Sequence, residues 1–291
     1  MNPSRTISSL LLALLLSATA VLAQSPASRN DNAALRYWSA FSVMQDSAIT
    51  ADQAAELNAV LAGRAEYDDS KFSTIVEKNK LALQIMVRAA KLPECNWGLD
   101  YSLGGNEPVE YARNGLTLGG LNVLYALHLL HAGDKDAGVN ALAAGLHFSR
   151  DLANGGTLFA TLAADQLITE HLRAVVFAVR DSDLSAAQHT VLANAVTQLG
   201  PDGVDWRSAM DREFQVTRTH FAEDAQASAA IARIDSAYVK AVNDPSALPA
   251  LKETIRSAPA AVAQMIPNPE RVIDARQKLS AQIADTRSAL K

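Results

Sequence analysis

Residues 115–156 read GLTLGGLNVLYALHLLHAGDKDAGVNALAAGLHFSRDLANGG, and this stretch decides the fold class. Leucine and other apolar residues recur in it at three- and four-residue spacing, which is typical of helices with an apolar face. Residues 132–134 end one helix and cap the next, and residues 154–156 end the second. Because the link is so short, we predict that the two helices pack antiparallel as a hairpin.

The same spacing extends over the rest of the chain, and no segment alternates apolar and polar residues as a strand would. Residues suited to capping open the predicted helices: Asn30 or Asp31, Thr50, Asp69 or Ser70, Asn106, Asp134, Thr157, Asp183 or Ser185, and Asp205. The apolar face of the first helix is predicted to hold Leu35, Trp38, Phe41 and Met44. We therefore predict an all-α protein, an irregular array of antiparallel helical hairpins of tetratricopeptide-like or α-solenoid-like kind.

The chain divides into three predicted regions: a signal peptide (1–23), a helical hairpin domain (24–203) and a C-terminal helical extension packed on it (204–291). The last helix, after Pro269, has an apolar stripe that suits docking on the body of the protein, with docking of a partner helix as the alternative.

The amino end has the pattern of a secretory signal. Arg5 precedes an apolar run from Ile7 to Leu16, and Ala23 is the small residue before an expected cleavage. The run is shorter than the about 20 apolar residues of a membrane span. We predict export to the periplasm or beyond and no stable transmembrane span in the mature chain; an uncleaved anchor is the alternative.

The composition of the chain bears on two questions: whether it binds nucleic acid, and what state its cysteine is in. The formal net charge of −5 argues against nucleic acid as a partner, because nucleic-acid binding depends on Lys and Arg at the phosphates. The single cysteine, Cys95, cannot form an intramolecular disulfide. It is predicted to be a buried thiol, with an intermolecular bridge or a nucleophile as alternatives.

The loop at residues 92–101, LPECNWGLDY, interrupts the helical pattern and is the candidate site. Loops held by rigid scaffolds often carry binding residues. Asn96, Trp97 and Tyr101 are therefore candidate binding residues. For the Trp97 ring, covering the hairpin core is the preferred role, and lining a groove together with Tyr101 is the alternative.

Acidic residues around this loop are candidate catalytic groups: Glu94, Asp100 and Glu110, with Glu107 nearby. Two carboxylates in a cleft suit glycoside hydrolysis, but loop acids exposed to solvent and charges at a helix start give the same pattern.

Four histidines, His128, His131, His147 and His171, lie on neighbouring predicted helices, which raises the question of a metal. The sequence contains no His-Glu-x-x-His, Gly-x-Ser-x-Gly or nucleotide-binding motif. We predict neither a metal site nor a cofactor.

Two resemblances accompany these patterns. Residues 132–138 with 141–146 are similar to the turn and second helix of tetratricopeptide-like repeats. Residues 35–200, with the Cys95-Asn96-Trp97-Gly98 loop, resemble uncharacterised exported all-helical bacterial proteins that carry a Cys-Asp/Asn-Trp-Gly loop. The resemblance implies the fold and export, and it implies no activity.

The leading functional prediction is a binding or structural protein of the cell envelope, whose partner is a protein or another envelope component. The alternative is an envelope hydrolase that uses acids near residues 93–110.

Overall fold

The computed structural model describes residues 31–45 and 48–291, and within them the chain is helical, with no β-strand. The predicted all-α class is confirmed. The predicted signal peptide at residues 1–23 lies outside the described residues. The described part forms twelve α-helices: α1 (Ala33–Ser42), α2 (Ala51–Leu61), α3 (Ser73–Ala89), α4 (Glu110–His131), α5 (Lys135–Ala153), α6 (Leu158–Asp181), α7 (Ala186–Gln198), α8 (Trp206–His220), α9 (Ala225–Asn243), α10 (Leu248–Arg256), α11 (Ala260–Met265) and α12 (Pro269–Ala289).

Several predicted caps are present. Thr50 and Ser185 form capping boxes with the residue three positions on, and the side chains of Asp134 and Asp205 accept hydrogen bonds from the first turns of α5 and α8. Helix α1 is capped by Asn32, outside the predicted pair of residues 30 and 31.

Two predicted helix starts, those of α3 and α4, were displaced. Helix α3 begins at Ser73, after a 3-10 turn (Asp69–Lys71) that Asp68 caps. Helix α6 begins where it was predicted, with Thr157 at the N-cap position, but the Thr157 side chain does not cap the helix. The Glu213 carboxylate instead accepts a hydrogen bond from the Leu158 N–H at 3.1 Å.

The largest displacement concerns α4, because Asn106 does not cap it. Asn106 ends a 3-10 turn (Tyr101–Asn106), and α4 begins only at Glu110. The physical reason is Pro108, which disfavours helical backbone at the residue before it; Glu107 is accordingly extended, with φ −61° and ψ 124°.

Helices α4, α5 and α6 form the centre of the molecule, each packed against the other two. Helices α1 and α3 pack on each other and on α4, while α7 packs on α5. Helix α12, at the end of the chain, returns to pack on α6 and α7. A solenoid-like arrangement is not confirmed, since in a solenoid each unit contacts only its neighbours along the chain.

The 204–291 region contacts the rest at several places. Helix α8 packs on the 101–106 turn and on α6, and the α12 side chains Val272, Ile273, Leu279 and Ile283 are buried. Arg276 on α12 also forms a salt bridge with Asp202, at 3.0 Å. Buried side chains of both regions belong to one hydrophobic core.

The predicted face of α1 was wrong in part. Leu35 and Trp38 are 53% and 41% exposed, whereas Tyr37 is fully buried. Tyr37 on the inward stripe packs against Trp97 and Phe148, and its hydroxyl donates a hydrogen bond to Asp151 at 2.8 Å. This stripe therefore buries apolar surface and also gives a buried carboxylate a partner. The buried stripe comprises Ala33, Ala34, Tyr37, Ala40 and Phe41.

A polar cluster lies inside the core where α4, α5 and α6 meet. His171 is fully buried, and its Nδ1 is 2.8 Å from the Leu167 carbonyl oxygen, to which it donates. Its Nε2 therefore accepts a hydrogen bond from Asn122 Nδ2, at 3.1 Å. Burial lowers the pKa of His171 to about 4, so the ring is neutral at pH 7.

Where α6 packs on α12, Asp165 is half-buried and its Oδ1 has no hydrogen-bond partner among the described residues. Burial, and then the nearby charge of Asp274, raise the pKa of Asp165 to about 6. The folded state therefore holds this proton more tightly than the unfolded state does. Stability should fall as the pH rises from about 4 to about 6.

Asp165→Asn is expected to raise stability above pH 6 by about 1 kcal/mol, after discounting for partial exposure, and to add nothing at pH 4. Thermal unfolding at both pH values measures this difference. Asp285→Asn, which changes an exposed carboxylate on α12, is the control and should have little effect at either pH. An equal gain at both pH values would show that ionisation of Asp165 is not the cause.

No helix in the described part of the chain combines the length and the apolar character that crossing a membrane requires.

Candidate functional site

The 92–101 loop is fastened to α1 and to the end of α5 through backbone atoms. The Ala33 N–H donates to the Glu94 carbonyl oxygen at 2.7 Å. Asn32 and Asn96 exchange two hydrogen bonds, both of 2.8 Å. From α5, the side chain of Asn154 donates to the Cys95 carbonyl oxygen at 2.6 Å. These bonds hold the loop in one conformation on the helices.

Trp97 closes the core beneath this loop. Its ring is 9% exposed, and its Nε1–H donates to the Asp151 carbonyl oxygen at 2.8 Å. The ring centroid lies 4.7 Å from that of Tyr111, and Phe41 stacks at 6.2 Å. Trp97 therefore covers the core, which is the role preferred for it from the sequence, and it offers little surface to a ligand.

The other two candidate binding residues are more accessible. Asn96 is exposed, but its Oδ1 accepts a hydrogen bond from the Gly98 N–H at 2.9 Å. Tyr101 is half-buried and its hydroxyl donates to the Gly155 carbonyl oxygen. Both side chains hold the fold of the loop and its neighbours.

The candidate catalytic acids are exposed at the surface. Asp100 caps the 101–106 turn by accepting from the Ser102 N–H at 3.0 Å, and its hydrogen bonds with the Ser102 hydroxyl and then with this N–H lower its pKa. Glu110 lies 3.6 Å from Arg113 on the same helix. Neither these two nor Glu94 lines either of the clefts described below.

A cleft of about 530 Å³ lies beside the loop, between the end of α5 and the segment that leads into α8. We call it the Asp151 cleft. Its size falls within the range of small-molecule sites, about 300 to 1,000 Å³. Its lining includes Pro93, Cys95, His147, Arg150, Asp151, Asn154, Asp202, Asp205, Ser208 and Arg212.

Asp151 forms the inner wall of this cleft and is 7% exposed. One carboxylate oxygen accepts from the Tyr37 hydroxyl, and the other lies 3.6 Å from His147 Nε2. Burial raises the pKa of Asp151 and lowers that of His147. Burial also raises the pKa of the Cys95 thiol, and the neighbouring charge of Asp151 adds to this effect.

The other two acids of the cleft already have partners. Asp202 binds Arg276 from α12, at 3.0 Å. Asp205 caps α8, accepting from the N–H and the hydroxyl of Ser208 at 2.9 and 2.7 Å, and these bonds lower its pKa.

The acids of the cleft have partners, whereas its two arginines have no salt-bridge partner among the described residues. Both are half-buried, and within the described residues neither lies within 4 Å of a carboxylate oxygen. Arg150 donates only to the Gln198 carbonyl oxygen, at 3.2 Å. Arg212 acts on Asp205 at longer range, where its charge helps to lower the pKa of that carboxyl.

A second cleft, of about 920 Å³, lies between residues 63–67 and the ends of α4 and α6. Two of its cations already bind carboxylates: Arg180 pairs with Asp181 at 2.5 Å, and Lys135 lies 3.7 Å from Asp183. The third cation there, Arg64, has no carboxylate within 4 Å among the described residues but is exposed. The Asp151 cleft is the better candidate because its two unpaired arginines are half-buried.

The four histidines do not converge on one site: His128 and His131 both lie beside residues 67–69, whereas His147 and His171 lie elsewhere. His128 bonds to Asp69 at 2.7 Å, His131 packs edge-on to Tyr67, His147 lines the Asp151 cleft and His171 is inside the core. Across residues 31–45 and 48–291, no three metal-type side chains come together at a site that could hold an ion.

Sequence reasoning located the loop but missed Arg150, Asp151 and Arg212. One signal was available for Asp151, which stands beside Leu152 and three residues after Phe148. Apart from Ser149, the other buried residues of this helix are apolar or glycine. A charged residue at such a position is informative, because buried carboxylates are rare unless they have partners.

Neither family models, nor curated proteins, nor solved structures gave a match to this chain. The resemblance to exported all-helical bacterial proteins stays a prediction.

Cys95 is a free thiol that is partly buried, with its sulfur 3.9 Å from the Asp151 carbonyl oxygen. Because the thiolate is the reactive form, a raised pKa should make this cysteine slow to react. We expect a chromogenic disulfide reagent to label the native protein slowly and the urea-unfolded protein at once. Fast labelling of the native protein, or a disulfide-linked dimer on non-reducing gels, would contradict this expectation.

Proposed function

We propose that the protein is an exported binding protein of the cell envelope that holds a small polar ligand, or a polar group of an envelope component, in the Asp151 cleft. Its framework is proposed to be an irregular array of antiparallel helical hairpins, similar to tetratricopeptide-like arrays. The observation that carries the proposal is the cleft itself, which combines a ligand-sized volume with half-buried arginines on a rigid wall.

The wall is rigid because both sides are fixed to the core. On one side, Trp97 and Asn154 tie the loop to α5. On the other, Arg276 and Ser280 of α12 bind the 201–202 segment, and the Ser280 hydroxyl donates to the Pro201 carbonyl oxygen at 2.7 Å. A preformed site avoids part of the ordering cost of binding.

The hydrolase alternative has less support. Hydrolysis of a glycoside needs two carboxyl groups on opposite sides of one bond. Glu94, Asp100 and Glu110 are exposed and line neither cleft, and the acids of the Asp151 cleft are occupied by internal hydrogen bonds or a salt bridge.

Export is tested by amino-terminal sequencing of the protein recovered from its native host, which should begin at Gln24. An intact Met1 in the envelope fraction would contradict cleavage after Ala23.

Binding is tested by blocking the cleft. A small-molecule fraction of envelope extract is expected to raise the melting temperature of the wild-type protein, because a ligand that binds only the folded state stabilises it. Ser208→Trp, which puts an indole into the cleft, should abolish this rise. Gln215→Trp, an exposed position on the same helix outside the cleft, is the control and should retain it. Equal stabilisation of Ser208→Trp would place the ligand elsewhere, and no stabilisation of the wild type would contradict the proposal.

A further inference from the structure

In the Asp151 cleft the carboxylates have hydrogen-bond or salt-bridge partners, whereas the arginines have no carboxylate partner among the described residues. Each of its three carboxylates has short internal partners: the Tyr37 hydroxyl for Asp151, Arg276 for Asp202 and the α8 amino terminus for Asp205. Its two arginines have no carboxylate within 4 Å among the described residues. The charged donors of the cleft that have no carboxylate partner are therefore its two arginines.

These two arginines are placed where they can bind a ligand, and within the described residues they form no salt bridge that would stabilise the fold. Arg150 comes from the last turn of α5, and Arg212 comes from the second turn of α8. The two side chains reach the same cleft from separate helices and are half-buried there. A guanidinium group is planar and always charged, and its parallel N–H donors match the two oxygens of a carboxylate.

The remaining polar groups of the cleft do not compete for this role. Asn154 uses its side-chain N–H on the Cys95 carbonyl oxygen, and Ser208 directs its hydroxyl to Asp205. His147 stands next to Asp151, and burial lowers its pKa, which keeps the ring neutral. An anion entering the cleft therefore meets Arg150 and Arg212 as its main donors.

We infer that the ligand of the Asp151 cleft carries a carboxylate group, which Arg150 and Arg212 bind together. This inference rests on the proposed function and adds the chemical class of the ligand to it.

The test uses the nitrogen-15-labelled protein and succinate as the probe, with uncharged succinamide as its matched control. Side-chain Nε–H signals of arginine are followed by NMR during the titration. Succinate should shift two such signals, those missing in Arg150→Gln and Arg212→Gln, and succinamide should not. Each substitution should weaken succinate binding by about tenfold or more, since hydrogen bonds to charged groups contribute about 1.5 to 3 kcal/mol.

Arg207→Gln is the matched control, because Arg207 is on the same helix, is exposed, and pairs with Asp211 outside the cleft. It should bind succinate as the wild type does. Equal weakening by Arg207→Gln would indicate a general effect of charge and would overturn the inference. So would equal shifts with succinamide, or no shift with succinate. Inorganic phosphate is titrated in parallel; tighter binding of phosphate than of succinate would overturn the assignment of a carboxylate.

The two proposals can fail separately. If succinate does not bind but the extract fraction still stabilises the wild type and not Ser208→Trp, the binding function stands and the carboxylate ligand is wrong. If neither succinate nor the extract acts on the wild type, both are wrong.

Discussion

Trp97→Ala is expected to lower the free energy of unfolding by about 3 to 5 kcal/mol, a large part of the stability of an ordinary domain. The substitution removes a ring that is 9% exposed and lies among Tyr37, Phe41 and Tyr111. It also leaves the Asp151 carbonyl oxygen without the indole N–H that bonds to it at 2.8 Å. The loop would then lose the main contact that offsets the entropy of its ordering, about 1 to 2 kcal/mol per residue.

Trp38→Ala is the matched control, because it removes the same kind of ring from the neighbouring surface. Trp38 is 41% exposed and touches Trp97 edge-on at 6.3 Å. Its loss should cost much less than that of Trp97. Thermal unfolding of the three proteins compares these effects, and a Trp97→Ala shift below about 2 °C would contradict the structural role and favour a role of the ring in binding.

Gly145→Ala is expected to lower the free energy of unfolding by about 3 kcal/mol, although alanine is normally the better helix residue. A Cβ atom at Gly145 would lie 2.1 Å from His171 Nε2 and 2.4 Å from Asn122 Nδ2. Both side chains are fully buried, so they have little room to move away. Separating them would break the hydrogen bond that joins them and leave buried polar groups unpaired, at about 1 to 3 kcal/mol.

Gly120→Ala tests the same substitution where space is free, since a Cβ atom at Gly120 on α4 would meet nothing within 4 Å. There alanine should stabilise the protein by about 0.5 to 1 kcal/mol, because glycine loses more backbone entropy in a helix. Urea unfolding of both variants measures the two changes. If Gly145→Ala were as stable as Gly120→Ala, the close packing of α4, α5 and α6 around this glycine would be wrong.

Much of the secondary structure could be predicted from the sequence because it depends on residues close together in the chain. The capping boxes at Thr50 and Ser185 join residues three positions apart, and Asp134 bonds to the first turn of its own helix. The start of α4 was placed too early, at Asn106. The effect of Pro108 on the preceding residue competes with an attractive cap, and the sequence does not show which prevails.

Which face of a helix is buried was harder to predict than where the helices lie. Helix α1 offers two apolar stripes that share Phe41, one with Leu35 and Trp38 and one with Tyr37 and Ala40, and periodicity alone does not decide between them. The choice depends on contacts with distant parts of the chain, among them the hydrogen bond from Tyr37 to Asp151, a residue 114 positions away.

What the sequence by itself determined is the helical class, the caps at Thr50, Asp134, Ser185 and Asp205, and the position of the 92–101 loop, since each depends on spacing within one or two turns. Only the tertiary structure decided that Trp97 faces inward, that Glu94, Asp100 and Glu110 line neither cleft, and that Arg150 and Arg212 share one cleft with Asp151. The physical reason is that a cleft is formed by the packing of helices distant in the chain. Residues 93, 150 and 212 become neighbours only because the contacts of α8 and α12 with the central helices bring their segments together.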